Sequence, residues 1–235
     1  MNAGTLYLVP TPLAEGAVDA SIPPPVRSRI REIGYFLVEE PKSARAFLKA
    51  LAHPRPLASL RIERLPEKAG EAALDALLAP LAAGSDAALL SEAGAPAVAD
   101  PGAALVRRAH RLGIRVAPLI GPSAILLALM ASGLEGQRFA FHGYLPVEEA
   151  ALAQRLRALE ADSRRERRTE IFIETPYRND RLLRLIVATC APATVLSVAA
   201  DLTAPTETVA TQPIAAWRSG PRAIGKRPAV FLLQA

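Results

Sequence analysis

Short aliphatic runs that alternate with helix-like stretches are the feature that most constrains this 235-residue chain. Between residues 5 and 120 there are five such runs, each built largely from Val, Leu, Ile and Ala. Strands buried on both faces of a parallel sheet have this character, and parallel strands need crossover helices between them. The pattern predicts an α/β fold with a mostly parallel sheet. The runs are residues 5–10, 35–39, 57–65, 86–94 and 114–120.

The intervening segments predict the crossovers. Residues 23–25 are all proline and predict a loop, whereas Pro41 suits the first turn of a helix with Ala44, Phe47, Leu48 and Leu51 on one face. Further helices are expected over residues 67–82 and from Pro101 to about Leu112. A helix over residues 123–132 is apolar nearly all round, which predicts that it is buried between the two halves of the protein.

A second half begins near Arg138 and has a different strand pattern. Residues 193–203 and 206–214 predict two strands joined by a Pro-containing turn and paired antiparallel. We therefore expect two α/β domains, residues 1–120 and 121–235, with a mostly parallel N-terminal sheet and a mixed C-terminal sheet. The other strands predicted in this half are 138–146, 169–175 and 229–234, and its helices are 147–161 and 177–189.

Charge and cysteine content narrow the classes of function. The formal net charge of +5 suits an anionic partner such as RNA, although an Arg-rich composition alone would also produce it. Cys190 is the only cysteine, so an intramolecular disulfide is excluded, and its apolar neighbours predict burial. The sequence has no apolar run long enough to span a membrane and no secretory signal, so we expect a cytoplasmic protein.

Three loops of the first half follow predicted strands, where ligands of open parallel sheets collect. Pro10, Thr11 and Pro12 form either a ligand-facing loop or a rigid turn. In residues 91–102, Glu92 suits ribose hydroxyls or an ammonium group, while Asp100 has the position of a helix N-cap. In residues 121–124, the helix start at Ser123 suits a carboxylate, or Ser123 simply caps the helix.

The second half offers a similar strand end. Glu174 and Arg178 flank Pro176 and predict either a ligand site or an exposed salt bridge. His142 is a possible base, but a single His beside a strand is more often structural. Residues 220–226 have the spacing of a phosphate loop, yet Arg227 stands where Ser or Thr is required and a strand follows, so we exclude that motif.

Taken together, five segments resemble the successive motifs of the tetrapyrrole methylase superfamily, and most closely its ribosomal RNA small subunit methyltransferase I branch. They occur in family order over residues 5–178. The segments are LYLVPTPL, SEAGAPAVADPG, PLIGPSAILLALMASGL, FAFHGYLP and FIETPYR.

The resemblance implies a homodimer of two-domain subunits, with S-adenosyl-L-methionine bound between the domains. Methyl transfer from its sulfonium requires no metal, so we expect none. It implies methylation of a ribose 2′-hydroxyl of small-subunit ribosomal RNA. The polar side chains expected to assist the reaction are Glu40, Lys42, Glu92 and Arg178. The residues expected at the cofactor are Pro10, Thr11, Pro12, Ser91, Glu92, Ala93, Gly94, Ser123, Ala124, Glu174 and Thr175.

The sequence departs from the branch where RNA contacts would be expected. Residues 39–42 read Glu-Glu-Pro-Lys instead of Glu-Asp-Thr-Arg, and residues 200–204 lack two basic residues of the family motif. Ala14 and Glu15 replace a Gly-Asn pair, and the branch's extra C-terminal segment has no counterpart. Two alternatives to RNA methylation therefore stay open: methylation of a tetrapyrrole-like small molecule, and binding of the cofactor or of RNA without catalysis.

Overall fold

A computed structural model of the chain describes residues 3–66, 68–220 and 223–235. The chain forms two compact units, Met1–Ser123 and Ala124–Ala235. The strands of the first unit are β1 Thr5–Val9, β2 Tyr35–Val38, β3 Arg61–Arg64, β4 Ala87–Leu90 and β5 Arg115–Pro118. They form one sheet in the order β3-β2-β4-β1-β5, and every neighbouring pair is parallel. This confirms the predicted parallel sheet.

Helices cover both faces of this sheet. Alternate residues of β2 enter different apolar clusters: Phe36 and Val38 pack with Leu48 on one side, while Leu37 packs with Leu78 on the other. Burial on both faces explains why the inner strands β2 and β4 are continuously apolar. The helices are α1 Val18–Ser21, α2 Pro24–Glu32, α3 Pro41–Ala50, α4 Glu71–Ala82 and α5 Ala103–Arg111.

Two details of the first unit differ from the sequence prediction. The loop predicted at residues 23–25 is wrong, because α2 begins at Pro24 and buries Val26 and Ile30. Proline fits the first turn of a helix, where its missing N–H has no partner to lose. The helix predicted over residues 67–82 begins at Glu71, and residue 67 lies outside the described part of the chain.

The second unit contains a five-stranded mixed sheet. Its strands are β6 Phe139–Tyr144, β7 Thr169–Ile173, β8 Val195–Ala200, β9 Thr208–Pro213 and β10 Ala229–Gln234. The strand order is β6-β7-β10-β8-β9. β6 and β7 pair in parallel, and the other pairs are antiparallel, so the predicted mixed sheet is confirmed. The helices are α6 Ala124–Ser132, α7 Glu149–Glu166, α8 Asn179–Thr189 and α9 Ile214–Ser219.

The fully buried character predicted for α6 is wrong. Ala128 and Leu129 are buried, but Leu126 is 52% exposed and Met130 79% exposed. α6 packs against the second sheet through contacts with β8, β9 and β10, and its buried residues lie on that side. An all-round apolar sequence indicates what a helix can bury and does not require that every side be covered.

Two further buried residues of the second unit, Trp217 and Cys190, bear on the sequence predictions. Trp217 of α9 is buried and donates from its indole nitrogen to the carbonyl oxygen of Leu196, 3.1 Å away. The sequence predicts no helix here, because the six residues of α9 are too few to display a helical period. Cys190 is buried, as predicted, and burial raises the pKa of its thiol to about 12, so the thiol remains protonated. Within the described ranges, no helix is long and apolar enough to cross a membrane.

Candidate functional site

Two of the predicted loops are locked together at the carboxyl end of the first sheet. The Thr11 amide donates to the Gly94 carbonyl oxygen at 2.9 Å, and the Gly94 amide donates back to the Thr11 carbonyl oxygen at 3.0 Å. The Thr11 hydroxyl donates to the Ser91 carbonyl oxygen at 3.3 Å, and the Ser91 hydroxyl to the Gly94 carbonyl oxygen at 3.1 Å. The hydroxyls of Thr11 and Ser91 therefore hold the loops in place, while Ala93 and Glu92 are exposed.

The loop after β5 packs closely onto the first of these loops. A Cβ atom added at Gly121 would lie only 2.5 Å from Pro10 Cβ, so glycine is required for this approach. Gly94 has a φ of +78°, a conformation that side chains rarely adopt. Because β4, β1 and β5 are neighbours, their three loops form one continuous edge. Pro12 continues the first loop and is partly buried.

Carboxylates gather where β2 and β4 end. One Glu39 carboxylate oxygen accepts a hydrogen bond from the Glu92 amide at 3.2 Å. One Glu92 carboxylate oxygen accepts the hydroxyl of Ser43 at 3.0 Å. Glu92 remains exposed, so its carboxylate is oriented by Ser43 and is still accessible to a ligand. Such a pair can accept hydrogen bonds from hydroxyl or ammonium groups.

Asp100 belongs to the same cluster. Burial, followed by the negative charges of Glu39 and Glu92, raises its pKa from the ordinary 3.8 to about 6, partly opposed by the nearby hydroxyl of Ser91. The N-cap role predicted for Asp100 is wrong, because the N-cap of α5 is Gly102 and no side chain caps it. The sequence could have indicated Asp100 as a site residue, since its loop leaves a strand end. Glu39 was also missed, although it directly follows β2.

Glu40 and Lys42 lie beside this cluster at the start of α3. The Glu40 carboxylate caps the helix by accepting the Lys42 amide at 3.1 Å, and it lies 3.8 Å from a guanidinium nitrogen of Arg64. The Lys42 ammonium is exposed, and no carboxylate oxygen among the described residues lies within 4.0 Å of it. The structure thus gives Glu40 a capping contact and leaves the Lys42 charge available to an anion.

The remaining predicted cofactor residues of this region are Ser123 and Ala124, which are consecutive in the chain. Ser123 is the last residue of the first unit and Ala124 is the first residue of α6. Both are partly buried. Ser123 follows directly on the Gly121 and Pro122 turn that packs against Pro10, so it lies next to the loop edge of the first sheet.

In the second unit, Glu174 and Arg178 form an ion pair around the turn after β7. One Glu174 carboxylate oxygen accepts both the Thr175 amide and an Arg178 guanidinium nitrogen, each at 2.6 Å. Glu174 is buried, so this pair differs from the exposed salt bridge that the sequence left open. The Nε atom of Arg178 is buried and has no hydrogen-bond partner among the described residues.

His142 takes part in a separate polar chain of the second unit. An Arg155 guanidinium nitrogen donates to His142 Nδ1 at 3.1 Å, and since arginine only donates, the His142 proton resides on Nε2. That nitrogen lies 2.5 Å from the fully buried carboxylate of Glu170, which also accepts Arg168 Nε at 2.7 Å. These contacts favour the structural interpretation of His142 over a role as base.

The loops at the carboxyl end of the first sheet therefore combine small residues, an exposed carboxylate at Glu92 with partly buried ones beside it, and the exposed Lys42. Small side chains at Ala93 and Gly94 let a ligand approach the backbone, and Glu92 can bind a cationic or hydroxyl-bearing group. These features fit a nucleoside cofactor that carries ammonium and sulfonium charges. In the part of the chain that the structure describes, no group of three His, Cys, Asp or Glu side chains is arranged to hold a metal ion.

Comparison with known proteins yields both sequence relatives and a fold relative. Residues 20–217 match the model of the tetrapyrrole (corrin/porphyrin) methylases. A ribosomal RNA small subunit methyltransferase I from Pseudomonas aeruginosa is 37% identical over 76% of this chain and 59% of its own length. The enzyme of the same name from Escherichia coli O157:H7 is 34% identical over 91% of this chain and 70% of its own length.

A solved structure extends the likeness to the fold of the whole chain. The crystal structure of the methyltransferase CobJ superposes with a TM-score of 0.64 and 18% identity, covering 100% of this chain and 94% of that one. At this identity the likeness concerns the fold alone. The chain spans less than two thirds of the length of the Pseudomonas relative.

Proposed function

The chain belongs to the tetrapyrrole (corrin/porphyrin) methylase family, and from that premise we propose that it is an S-adenosylmethionine-dependent methyltransferase acting on small-subunit ribosomal RNA. The observation that carries the proposal is the locked pair of loops at Thr11 and Gly94, with the Glu92 carboxylate exposed beside it. The names of the sequence relatives supply the class of acceptor. A ribose 2′-hydroxyl is the acceptor atom that the resemblance implies.

When bound, S-adenosylmethionine supplies an electrophilic methyl group, so the residues of this chain need mainly to orient the reactants. Positioning of this kind can contribute about 7–11 kcal/mol to lowering a barrier. The loops at Pro10–Pro12 and Ser91–Gly94 would contact the cofactor through backbone and small side chains, and Glu92 would accept hydrogen bonds from its hydroxyl or ammonium groups. Ser123, Ala124, Glu174 and Thr175 are the further proposed contacts.

A ribose hydroxyl must also lose its proton. Asp100 extends the proposed set of reaction residues, because a carboxyl with a pKa of about 6 is ionised at pH 7.5 and is a better proton acceptor than an ordinary one. The exposed Lys42 carries a positive charge suited to a phosphate of the acceptor strand. Arg178 is paired with Glu174 and would assist by holding the turn at Thr175 in place. Glu40 would act through its cap, by fixing the start of α3 where Lys42 and Ser43 lie.

Two further properties belong to the same proposal. The family resemblance implies a homodimer, and the exposed Leu126 and Met130 of α6 offer apolar surface for such a contact. Light scattering after size exclusion would give twice the 24.9 kDa chain mass for a dimer and the chain mass for a monomer.

An enzyme of ribosomal RNA works where ribosomes are assembled, so we place it in the cytoplasm.

The decisive experiment is a labelled-methyl assay on small ribosomal subunits from a strain lacking this gene. We expect transfer to the RNA of the intact subunit and none to porphyrinogens tested in parallel. Transfer to a porphyrinogen instead would support the small-molecule alternative. Cofactor binding without transfer to either acceptor would support a non-catalytic homologue.

Calorimetry with S-adenosylmethionine tests the cofactor site itself. Glu92→Gln should weaken binding about tenfold or more, since a hydrogen bond to a charged group contributes about 1.5–3 kcal/mol. Glu32→Gln is the matched control, because Glu32 precedes β2 and lies at the opposite end of the sheet. Equal affinities for wild type and Glu92→Gln would remove Glu92 from the site.

A further inference from the structure

An exposed tyrosine with a lysine on one face lies beside the ion pair of the second unit. Tyr177 is 80% exposed, which is unusual for so large an apolar ring. The Lys226 ammonium nitrogen lies 5.2 Å from the centre of the Tyr177 ring, within the range of a cation–π contact. The two residues are 49 positions apart in the sequence, so only the tertiary structure brings them together.

The loop that carries Lys226 is anchored to the start of α8. One Asp180 carboxylate oxygen accepts the amides of Ile224 and Gly225, at 2.7 Å and 3.2 Å. On the other side of Lys226, the buried side-chain amide of Asn179 donates to the Arg227 carbonyl oxygen at 2.6 Å. Hydrogen bonds on both sides of Lys226 thus hold its backbone close to Tyr177.

The backbone that carries the Tyr177 ring is also held in place. Tyr177 belongs to the short 3₁₀ turn Pro176–Arg178, which is tied to β7 by the Glu174–Arg178 ion pair at 2.6 Å. The turn has Pro176 at its first position, which fixes the backbone just before the ring. A pre-organised aromatic side chain loses little conformational entropy when a ligand stacks on it.

The charge of Lys226 is not neutralised within the protein. Among the described residues, no carboxylate oxygen lies within 4.0 Å of its ammonium nitrogen. The Asp180 carboxylate, which is close in sequence to Tyr177, is already used by two amides. One face of the ring therefore carries an uncompensated cation, and the opposite face is left for a planar ligand.

An aromatic ring beside an anchored cation is the combination that proteins use for single-stranded nucleic acid. A base stacks on the ring, and the neighbouring phosphate contacts the cation. A duplex cannot use such a ring, because its bases are stacked on one another. The net charge of +5 adds a favourable background for the same ligand.

We propose that Tyr177 and Lys226 form a binding element for one unpaired nucleotide of the RNA substrate, with the base on the Tyr177 ring and its phosphate at Lys226. The proposal rests on the proposed function for the choice of RNA as partner. Neither residue belongs to the set that we assign to the cofactor or to the reaction. The element would hold the acceptor strand and leave methyl transfer to the other residues.

Binding of a labelled single-stranded RNA of about 12 nucleotides, followed by fluorescence anisotropy, tests the element. Tyr177→Leu should lower the affinity about tenfold, because stacking is lost, whereas Tyr177→Phe should stay within about twofold of wild type. Affinity for a duplex of the same sequence should be unchanged in both variants. S-adenosylmethionine affinity and the thermal midpoint should also be unchanged, which separates a stacking role from a folding defect.

Lys226→Gln tests the phosphate contact. The slope of log affinity against log salt should decrease in magnitude by about 0.7, the value for one phosphate of a single strand. Lys49→Gln is the matched control, since Lys49 is an exposed lysine of α3 in the first unit and its loss should leave the slope unchanged. An unchanged slope in Lys226→Gln would overturn the assignment of Lys226.

The outcomes separate this element from the proposed function. Equal affinity of wild type and Tyr177→Leu for single-stranded RNA, or an equal loss for duplex RNA, would overturn the element even where wild type methylates small subunits. Failure of wild type to methylate any RNA, with single-strand binding that depends on Tyr177, would refute the proposed function and support the element. Absence of RNA binding by wild type would refute the element.

Discussion

Replacing Asp100 with Asn should stabilise the protein at neutral pH, although it removes a polar residue from a strand-end loop. The Asp100 carboxyl is partly buried and lies near the negative charges of Glu39 and Glu92. Its ionised form is therefore disfavoured in the folded state. Asn has nearly the same shape and carries no charge.

The magnitude follows from the pKa. Raising the Asp100 pKa from 3.8 to about 6 corresponds to about 3 kcal/mol, at about 1.36 kcal/mol per pKa unit. Asp100 keeps some contact with solvent, which screens part of this effect, so we expect a gain of about 1–2 kcal/mol in the free energy of unfolding. A gain of this size would be large for a single substitution near a surface.

The direction of the Asp100 pKa shift determines how the stability difference between wild type and variant should depend on pH. Because the folded pKa is higher than the unfolded one, the contribution of Asp100 to stability is full below pH 3.8 and is lost as pH rises through about 6. Wild type and Asp100→Asn should therefore have similar stabilities near pH 4. Their difference should grow between about pH 4 and pH 6 and then stay constant.

Urea unfolding followed by circular dichroism at several pH values measures this difference. Glu32→Gln, at the opposite end of the same sheet, controls for the loss of one negative charge. The reasoning would be refuted by a difference between wild type and Asp100→Asn that does not vary with pH. A variant less stable than wild type at pH 7.5 would refute it equally.

Three further substitutions test the packing. Gly94→Ala places a Cβ at φ +78° and 3.3 Å from a Leu13 methyl carbon, and should cost about 1–2 kcal/mol; an unchanged thermal midpoint would contradict the strained loop. Phe172→Ala, in the core of the second sheet, should cost about 3–5 kcal/mol in urea unfolding, and a loss below about 1 kcal/mol would show that the core collapses around it. Glu170→Gln removes the charge between His142 and Arg168 and should cost about 2 kcal/mol, the contribution of a hydrogen bond to a charged group; calorimetry showing equal or greater stability would mean that burial of this charge is not compensated.

Local pattern was sufficient for much of the fold. Continuous apolar runs predicted the strands of the first sheet, and the shift near Arg138 predicted the mixed second sheet. The secondary-structure predictions were wrong where the same residue type is common both in a loop or strand and at the start of a helix. The prolines at 23–25 suggested a loop, but α2 begins at Pro24, and residue 214, predicted as the end of a strand, begins α9.

For the site, the sequence alone determined which loops follow strands and which small or charged residues they carry, because strand ends and glycines leave local signals. Only the tertiary structure decided how those residues are used. Thr11 pairs with Gly94, Asp100 joins the carboxylates of Glu39 and Glu92 instead of capping α5, and Lys226 covers one face of Tyr177. Such contacts join residues far apart in the chain, and their energies depend on burial and distance, which no local pattern encodes.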